Sequence, residues 1–146
     1  MYSIEEFEKE KTKVMNYIMY KKRTIQEVKN KFCNTIQNDL LCDIIEYVKE
    51  AGYLNEEDYV KRAVNEFMAL KNLSIREMKY KLYTKGVQKD VIEDYFYEHI
   101  DEIEEYEKTS AQKIVIKKQA TLEKEEIRNY LMKKGYRENT IKEVLI

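Results

Sequence analysis

An internal repeat constrains the fold of this chain more than any other feature. Residues 74–86 read SIREMKYKLYTKG, and residues 123–135 read EKEEIRNYLMKKG. The match continues beyond the glycine that ends each string, since Ile92 corresponds to Ile141, and a third copy begins at Thr24. A period of about fifty residues lies at the upper end of the range of repeat proteins. The sequence therefore predicts an array of three repeats, with boundaries at 1–53, 54–100 and 101–146.

The composition favours helices in every repeat. The 146 residues include no Pro and three Gly, and no hairpin dipeptide such as Asn-Gly or Asp-Gly occurs. We predict an all-α protein in which each repeat has three helices. Such repeats, stacked through their third and first helices, would form an elongated, curved array.

Capping patterns predict where several helices begin and end. Thr24 is followed three residues later by Glu27, and Ser74 by Glu77, which is the capping-box spacing. Asn55 is predicted to cap the first helix of the second repeat. A glycine in the left-handed conformation is expected to end the helix at Gly86.

Helical spacing of apolar residues predicts the buried faces. The segment 114–116 holds three consecutive β-branched residues but is still predicted to be helical. Cys33 and Cys42 are interpreted as reduced core residues, because their spacing matches no metal motif. The predicted stripes are Phe7, Val14, Met15 and Ile18; Ile25, Val28 and Phe32; Leu40, Leu41, Ile44, Ile45 and Val48; Tyr59, Ala63, Phe67 and Leu70; Ile75, Met78 and Leu82; and Val91, Ile92, Tyr95 and Phe96.

The charge pattern indicates a soluble protein without a strong general attraction to nucleic acid. The net charge is −1 although 38% of residues are charged. The acidic start MYSIEEFEKEK lacks the apolar region of a signal peptide, and no stretch approaches the roughly 18 apolar residues of a membrane span. We therefore expect a cytoplasmic protein with no membrane contact.

No catalytic motif is found, so we expect no enzyme activity, no cofactor and no metal. His99 is the single histidine, and one His does not make a zinc site. Lys85-Gly86 and Lys134-Gly135 resemble phosphate loops only superficially, because the Walker lysine follows its last glycine. Helix ends explain both pairs.

Positive charges recur at the same place in the predicted second helices. Lys29, Lys79 and Arg128 stand five residues after each helix start, and Lys31 and Lys81 follow in two repeats. An array would present them as a ladder of cations. The alternative is that each pairs with a Glu about four residues away on its own helix. Among the tyrosines, Tyr80, Tyr83 and Tyr130 lie off the inner face and could instead stack on single-stranded nucleic acid.

Several strings together resemble the RecX family of RecA regulators. They are GYLNEEDYVKRAV at 52–64, LSIREMKYKLYTKGV at 73–87 and NYLMKKGYRENTIKEVL at 129–145. The resemblance runs from about Lys13 to the end of the chain. Two departures are evident, since the chain is less basic than the family and its first repeat has Asn34-Thr35-Ile36-Gln37 where the others have Lys-Gly.

The resemblance implies three-helix repeats similar to helix-turn-helix units. It also implies a monomer that lodges in the groove of the RecA filament on single-stranded DNA and restrains recombination and ATP turnover, as part of DNA repair and the SOS response. Direct DNA binding is expected to be weak because the net charge is near zero. The candidate binding residues are Lys29, Lys31, Lys79, Lys81, Arg128, Lys85 and Lys134.

Two other functions stay open from the sequence. One is a helix-turn-helix protein that binds DNA alone, which would need base-reading Arg, Asn and Gln on a second helix. The other is a helical protein-interaction scaffold built from the same repeat. The effect of the protein on ATP hydrolysis by RecA would separate them.

Overall fold

The computed structural model describes residues 1–146, which form nine helices and no strand. The all-α prediction is confirmed, and the helix order is consistent with three groups of three. No helix is both long and apolar enough to span a membrane. The helices are α1 Ile4–Tyr20, α2 Ile25–Phe32, α3 Asn38–Glu50, α4 Glu56–Leu70, α5 Ile75–Thr84, α6 Lys89–Glu98, α7 Ile100–Lys118, α8 Lys124–Lys134 and α9 Glu138–Val144.

The predicted helix starts are confirmed by their hydrogen bonds. The hydroxyls of Thr24 and Ser74 each accept the backbone N–H three residues on, and both capping boxes are complete. The side chain of Asn55 accepts from the N–H of Asp58 at 3.0 Å. At the start of α8, the Glu126 carboxylate accepts from the N–H of Glu123. Residues within a single turn therefore fix where these helices begin.

Buried apolar residues form three clusters, one for each group of helices. The first lies between α1, α2 and α3, and the second between α4, α5 and α6. The helix α7 serves two clusters, because Ile103 and Tyr106 close the second while Ala111 and Val115 pack with α8 and α9 in the third. A single helix thus connects the last two cores.

The predicted stripe of α4 is wrong by one residue. Val60 and Val64 are fully buried, whereas Tyr59, Ala63 and Phe67 are only half-buried and Leu70 is 62% exposed. Two neighbouring apolar stripes share helical spacing on this helix, and spacing alone does not rank them. The smaller valines fit the centre of the core, and the longer side chains reach in from its edge.

The prediction that both cysteines are core residues is also wrong. Cys33 and Cys42 are exposed free thiols. Cys33 lies where the chain leaves α2, and Cys42 directly follows the buried Leu41 on α3 and so faces away from the core.

Candidate functional site

The second helices of the three groups, α2, α5 and α8, meet end to end. The Thr24 hydroxyl donates to the carbonyl oxygen of Lys85 at 2.6 Å, and the Ser74 hydroxyl donates to that of Lys134 at 3.0 Å. The N-terminal end of α2 thereby meets the C-terminal end of α5, and the N-terminal end of α5 meets the C-terminal end of α8. We call the α2–α5 contact seam 1 and the α5–α8 contact seam 2. These contacts were not expected from the sequence, which suggested stacking through third and first helices.

A carboxylate from the following group completes each seam. Glu56 accepts from the N–H of Ile25, and Glu107 accepts from the N–H of Ile75, both at 3.3 Å. These amides lie in the first turn of a helix, where anions are favoured. Burial raises the pKa of the Glu56 carboxyl, and the backbone N–H groups of Ile25 and Gln88 oppose this by stabilising the charged form.

Glu107 is fully buried and has a fuller set of partners than Glu56. Its second oxygen accepts from the Arg137 guanidinium at 2.9 Å and from the Thr140 hydroxyl at 2.7 Å. A buried carboxylate requires such compensation, because removal from water is costly. Sequence reasoning missed Glu56, Glu107 and Arg137, since their partners lie about thirty residues away.

The glycines of the Lys-Gly pairs belong to the seams. Gly86 has φ of 88°, and a Cβ there would lie 2.2 Å from Cβ of Gln26. Gly135 has φ of 105°, and a Cβ there would lie 2.7 Å from Nε of Arg76. Both the left-handed conformation and the close approach therefore require glycine. The interpretation of these pairs as helix ends is confirmed, and α2, whose C-terminal end meets no other second helix, has no such glycine.

Three of the seven candidate cations already have carboxylate partners. Lys79 lies 3.0 Å from Glu93 of α6, and its Nζ is 5.2 Å from the centre of the Phe96 ring. Arg128 lies 3.9 Å from Glu125 on its own helix. At seam 2, the Nζ of Lys134 lies 2.9 Å from Glu77 and donates to the carbonyl of Asn72 at 2.8 Å. These contacts hold Lys79 and Lys134 against the protein.

The other four candidates, Lys29, Lys31, Lys81 and Lys85, are exposed and form no ion pair. The Nζ of Lys31 lies 5.8 Å from the centre of the Tyr17 ring. Tyr80 and Tyr83 are exposed, as predicted. The unpaired candidate cations thus lie on α2 and at α5, and two exposed tyrosines lie on α5.

His99 stands at the junction of α6 and α7 rather than in a metal cluster. Its ring stacks on Tyr95 with centres 4.1 Å apart, and its Nδ1 lies 3.0 Å from the Tyr95 carbonyl oxygen. No group of three or more His, Cys, Asp or Glu side chains is arranged to hold a metal ion.

Comparison with known proteins gives one consistent result. No family model matches the chain. Curated relatives called regulatory protein RecX come from Staphylococcus carnosus, with 27% identity over 90% of this chain, and from Clostridium botulinum, with 31% identity over 84%. The crystal structure of RecX from Lactobacillus salivarius has a TM-score of 0.82 and 22% identity, covering 97% of this chain and 96% of that chain. The resemblance to the RecX family is confirmed.

The chain spans 51% of the length of the Staphylococcus carnosus RecX and 60% of the Clostridium botulinum RecX. A second crystal structure of a regulatory protein RecX has the same TM-score of 0.82 at 14% identity, with 94% of this chain and 72% of that chain covered. The fold is therefore shared even where few residues are identical.

Four of the five residues in the RecX-like string at 52–56 have a structural role that the geometry explains. Gly52 has φ of 85° just beyond α3, Leu54 is buried in the first cluster, Asn55 caps α4, and Glu56 accepts the seam 1 amide. Together with the Lys-Gly pairs, the residues that carry the RecX resemblance join successive groups. Their role is to hold successive groups of the array together.

Proposed function

We propose that this chain is a RecX-like regulator that binds the RecA filament on single-stranded DNA in the cytoplasm and restrains its ATP hydrolysis or growth. It would act as a monomer and by binding alone. Support comes from the RecX relatives and from the end-to-end column of second helices. That column carries the proposal, because it sets the free lysines of successive groups on the order of one helix length, about 15 Å, apart.

Repeated weak contacts suit a filament better than bare DNA. A chain with net charge −1 is expected to hold naked DNA only at about 10⁻⁴ to 10⁻⁶ M near physiological salt. A filament groove offers protein surface and phosphates at several repeats at once, so the overall affinity can rise by about 10²-fold or more without stronger individual contacts.

The first test measures ATP hydrolysis by RecA on single-stranded DNA while the chain is added. We expect hydrolysis to fall as the chain saturates the filament. Unchanged hydrolysis and unchanged filament growth would contradict the proposal and favour an interaction scaffold. A Lys29→Ala/Lys81→Ala variant should be a weaker inhibitor, because both side chains are exposed and unpaired. Lys79 is unsuitable here, since its loss would also break the contact with Glu93.

A matched control is the Lys9→Ala/Lys89→Ala variant. It removes the same charge from exposed lysines of α1 and α6, outside the column. If both double variants lose the same inhibition, the effect is one of net charge and the column has no special role.

The second test separates a filament regulator from a helix-turn-helix protein. Fluorescence anisotropy of a labelled oligonucleotide is recorded with and without RecA and a slowly hydrolysed nucleotide. We expect tight binding with RecA and weak binding without it. Equal affinities would contradict filament binding, and tight, sequence-selective binding to a bare duplex would identify the helix-turn-helix alternative.

A further inference from the structure

A cleft at seam 2 is lined by lysines and by no carboxylate. It lies between the turn after α4, the C-terminal half of α7 and α8. Lys71, Lys113 and Lys117 line it without any ion pair, while the Nζ of Lys118 lies 4.7 Å from the centre of the Tyr130 ring. Lys134 also lines the cleft, and its ammonium is paired with Glu77. In a chain with net charge −1, this is a marked local excess of positive charge.

Residues at corresponding positions of the preceding groups line a similar cleft at seam 1. Lys21 and Lys71 stand three residues before Thr24 and Ser74, and Lys85 and Lys134 precede the glycines. Arg62 and Lys113 each follow a seam carboxylate by six residues. Seam 1 is partly neutralised, however, because Glu27 and Glu66 line it and Lys22 pairs with Asp58 at 3.1 Å. The cleft at seam 2 is therefore expected to attract an anion more strongly than the cleft at seam 1.

Lys71 occupies a backbone conformation that lysine rarely adopts. Its φ is 54°, and it is the one residue other than glycine with positive φ. Such a conformation costs about 1–2 kcal/mol. The Ser110 hydroxyl holds the turn by donating to the Lys71 carbonyl at 3.1 Å, and Tyr106 donates to the Leu73 carbonyl. The fold thus places a strained lysine, rather than an unstrained glycine, at the rim of the cleft.

Helix-end electrostatics do not account for all of these lysines. Lys117 and Lys118 lie in the last turn of α7, where a cation is favoured beside the free carbonyls. Lys71 is the C-cap of α4, where a cation is favoured for the same reason, but Lys113 lies before the last turn of α7. Helix-end electrostatics therefore explain neither Lys113 nor why the ends of α4 and α7 contribute lysines to one cleft.

We propose that the seam 2 cleft binds the phosphodiester backbone of single-stranded nucleic acid. Phosphates contact Lys71, Lys113 and Lys117, and a base stacks on Tyr130. Tyr130 is 39% exposed, and the Nζ of Lys118 lies 4.7 Å from the centre of its ring. Stacking requires an unpaired base, and this favours a single strand over a duplex or an acidic peptide.

The test uses the full chain without RecA and measures the anisotropy of labelled oligothymidine from low to physiological salt. The Lys113→Ala/Lys117→Ala variant should weaken binding severalfold and reduce the salt slope by about 1.4, which is about 0.7 for each lost phosphate contact on a single strand. Both side chains are exposed, and helical circular dichroism checks the fold. The Lys9→Ala/Lys89→Ala variant is the control and should change binding less.

A Tyr130→Leu variant tests the stacking. It should weaken oligothymidine binding at least about fivefold while leaving an abasic oligonucleotide unaffected. Polyglutamate is titrated in parallel. If the lysine variant loses polyglutamate but keeps oligothymidine, the cleft takes acidic peptides and the proposal is overturned. The proposal is also overturned if the Lys113→Ala/Lys117→Ala variant binds oligothymidine as tightly as the parent. The same holds if the Lys9→Ala/Lys89→Ala control loses as much affinity as that variant. Because RecA is absent, failure of the filament hypothesis would not affect this result.

Discussion

The hydroxyl of Ser74 donates a 3.0 Å hydrogen bond to the carbonyl oxygen of Lys134, 60 residues further along the chain. The same hydroxyl accepts the N–H of Glu77 at 3.1 Å and so caps α5. Thr24 makes the equivalent pair of bonds to Glu27 and Lys85. A residue that the sequence marks as a local cap is therefore also the contact between successive groups.

Replacement of Gly86 by Ala should destabilise the chain more than replacement of Gly52. Both glycines have positive φ, so each substitution incurs the left-handed cost of about 1–2 kcal/mol. A Cβ at Gly52 meets nothing within 4 Å, whereas one at Gly86 lies 2.2 Å from Cβ of Gln26. Overpacking should add about 1–3 kcal/mol. Urea unfolding measures both variants, and equal losses would show that seam 1 does not form in solution.

The features that were predicted from sequence depend on residues close together in the chain. Capping boxes involve one turn, and the Ile75, Met78 and Leu82 stripe involves two, so their local spacing was enough to identify them. For α4, two stripes competed, and only the packed core decided between Val60 and Tyr59.

The seams and the cleft could not be predicted in this way. Glu56 stands among Glu57 and Asp58, and all three suit the first turn of a helix, so nothing local distinguishes the one that reaches Ile25. Lys71 and Lys113 come from different elements and meet only through the order of the groups. Charge recurrence on the second helices was visible, but whether a lysine is paired depends on its neighbours in space, as for Lys79 and Glu93.

Loss of Arg137 should be costly because it leaves a buried charge. An Arg137→Ala variant removes the guanidinium 2.9 Å from Glu107, and Thr140 cannot supply the missing charge. We expect a loss of about 3 kcal/mol in the free energy of unfolding. The control is Lys142→Ala, which removes an exposed pair with Glu138 and should cost below about 0.5 kcal/mol.

Adding Glu107→Gln to the Arg137 variant should restore part of the loss, since the uncompensated charge is then gone. A double variant that is no more stable than Arg137→Ala would show that packing of the Arg137 side chain, and not the charge of Glu107, causes the effect.

A Lys71→Gly variant should separate the effect of Lys71 on stability from its effect on oligothymidine binding. Glycine removes the left-handed strain, which is about 1–2 kcal/mol. Its greater flexibility in the unfolded chain costs roughly 0.5–1 kcal/mol on folding, so the net effect is neutral or stabilising. The melting temperature should therefore stay equal or rise, while the affinity for oligothymidine falls. The control is Lys21→Gly in seam 1, where φ is −159° and no strain is relieved. A lower melting temperature with unchanged oligothymidine affinity would contradict the role assigned to Lys71.

The stability contributed by Glu56 should increase as the solution is acidified from neutral pH. Its pKa in the folded chain lies above the ordinary value of 4.5, mainly because of burial. At neutral pH, the ionised carboxylate therefore opposes folding. As the pH falls through the raised folded pKa towards 4.5, the folded chain takes up a proton before the unfolded chain does, and this cost is removed. Below 4.5 both states are protonated and the contribution is constant.

A Glu56→Gln variant reveals this pH dependence, because Gln cannot titrate. The other carboxyl groups are present in both proteins, so their contributions cancel when the unfolding free energies of parent and variant are subtracted. The free energy of unfolding of the parent minus that of the variant should rise as the pH falls from 7 to 4.5 and then level off. The control is Glu57→Gln, which removes the same charge from an exposed neighbour in the first turn of α4. It shows how much of the effect comes from losing one acid there and how much from the burial of Glu56. A difference that falls on acidification would mean that the amides of Ile25 and Gln88 outweigh burial, and that Glu56 strengthens seam 1 as an anion.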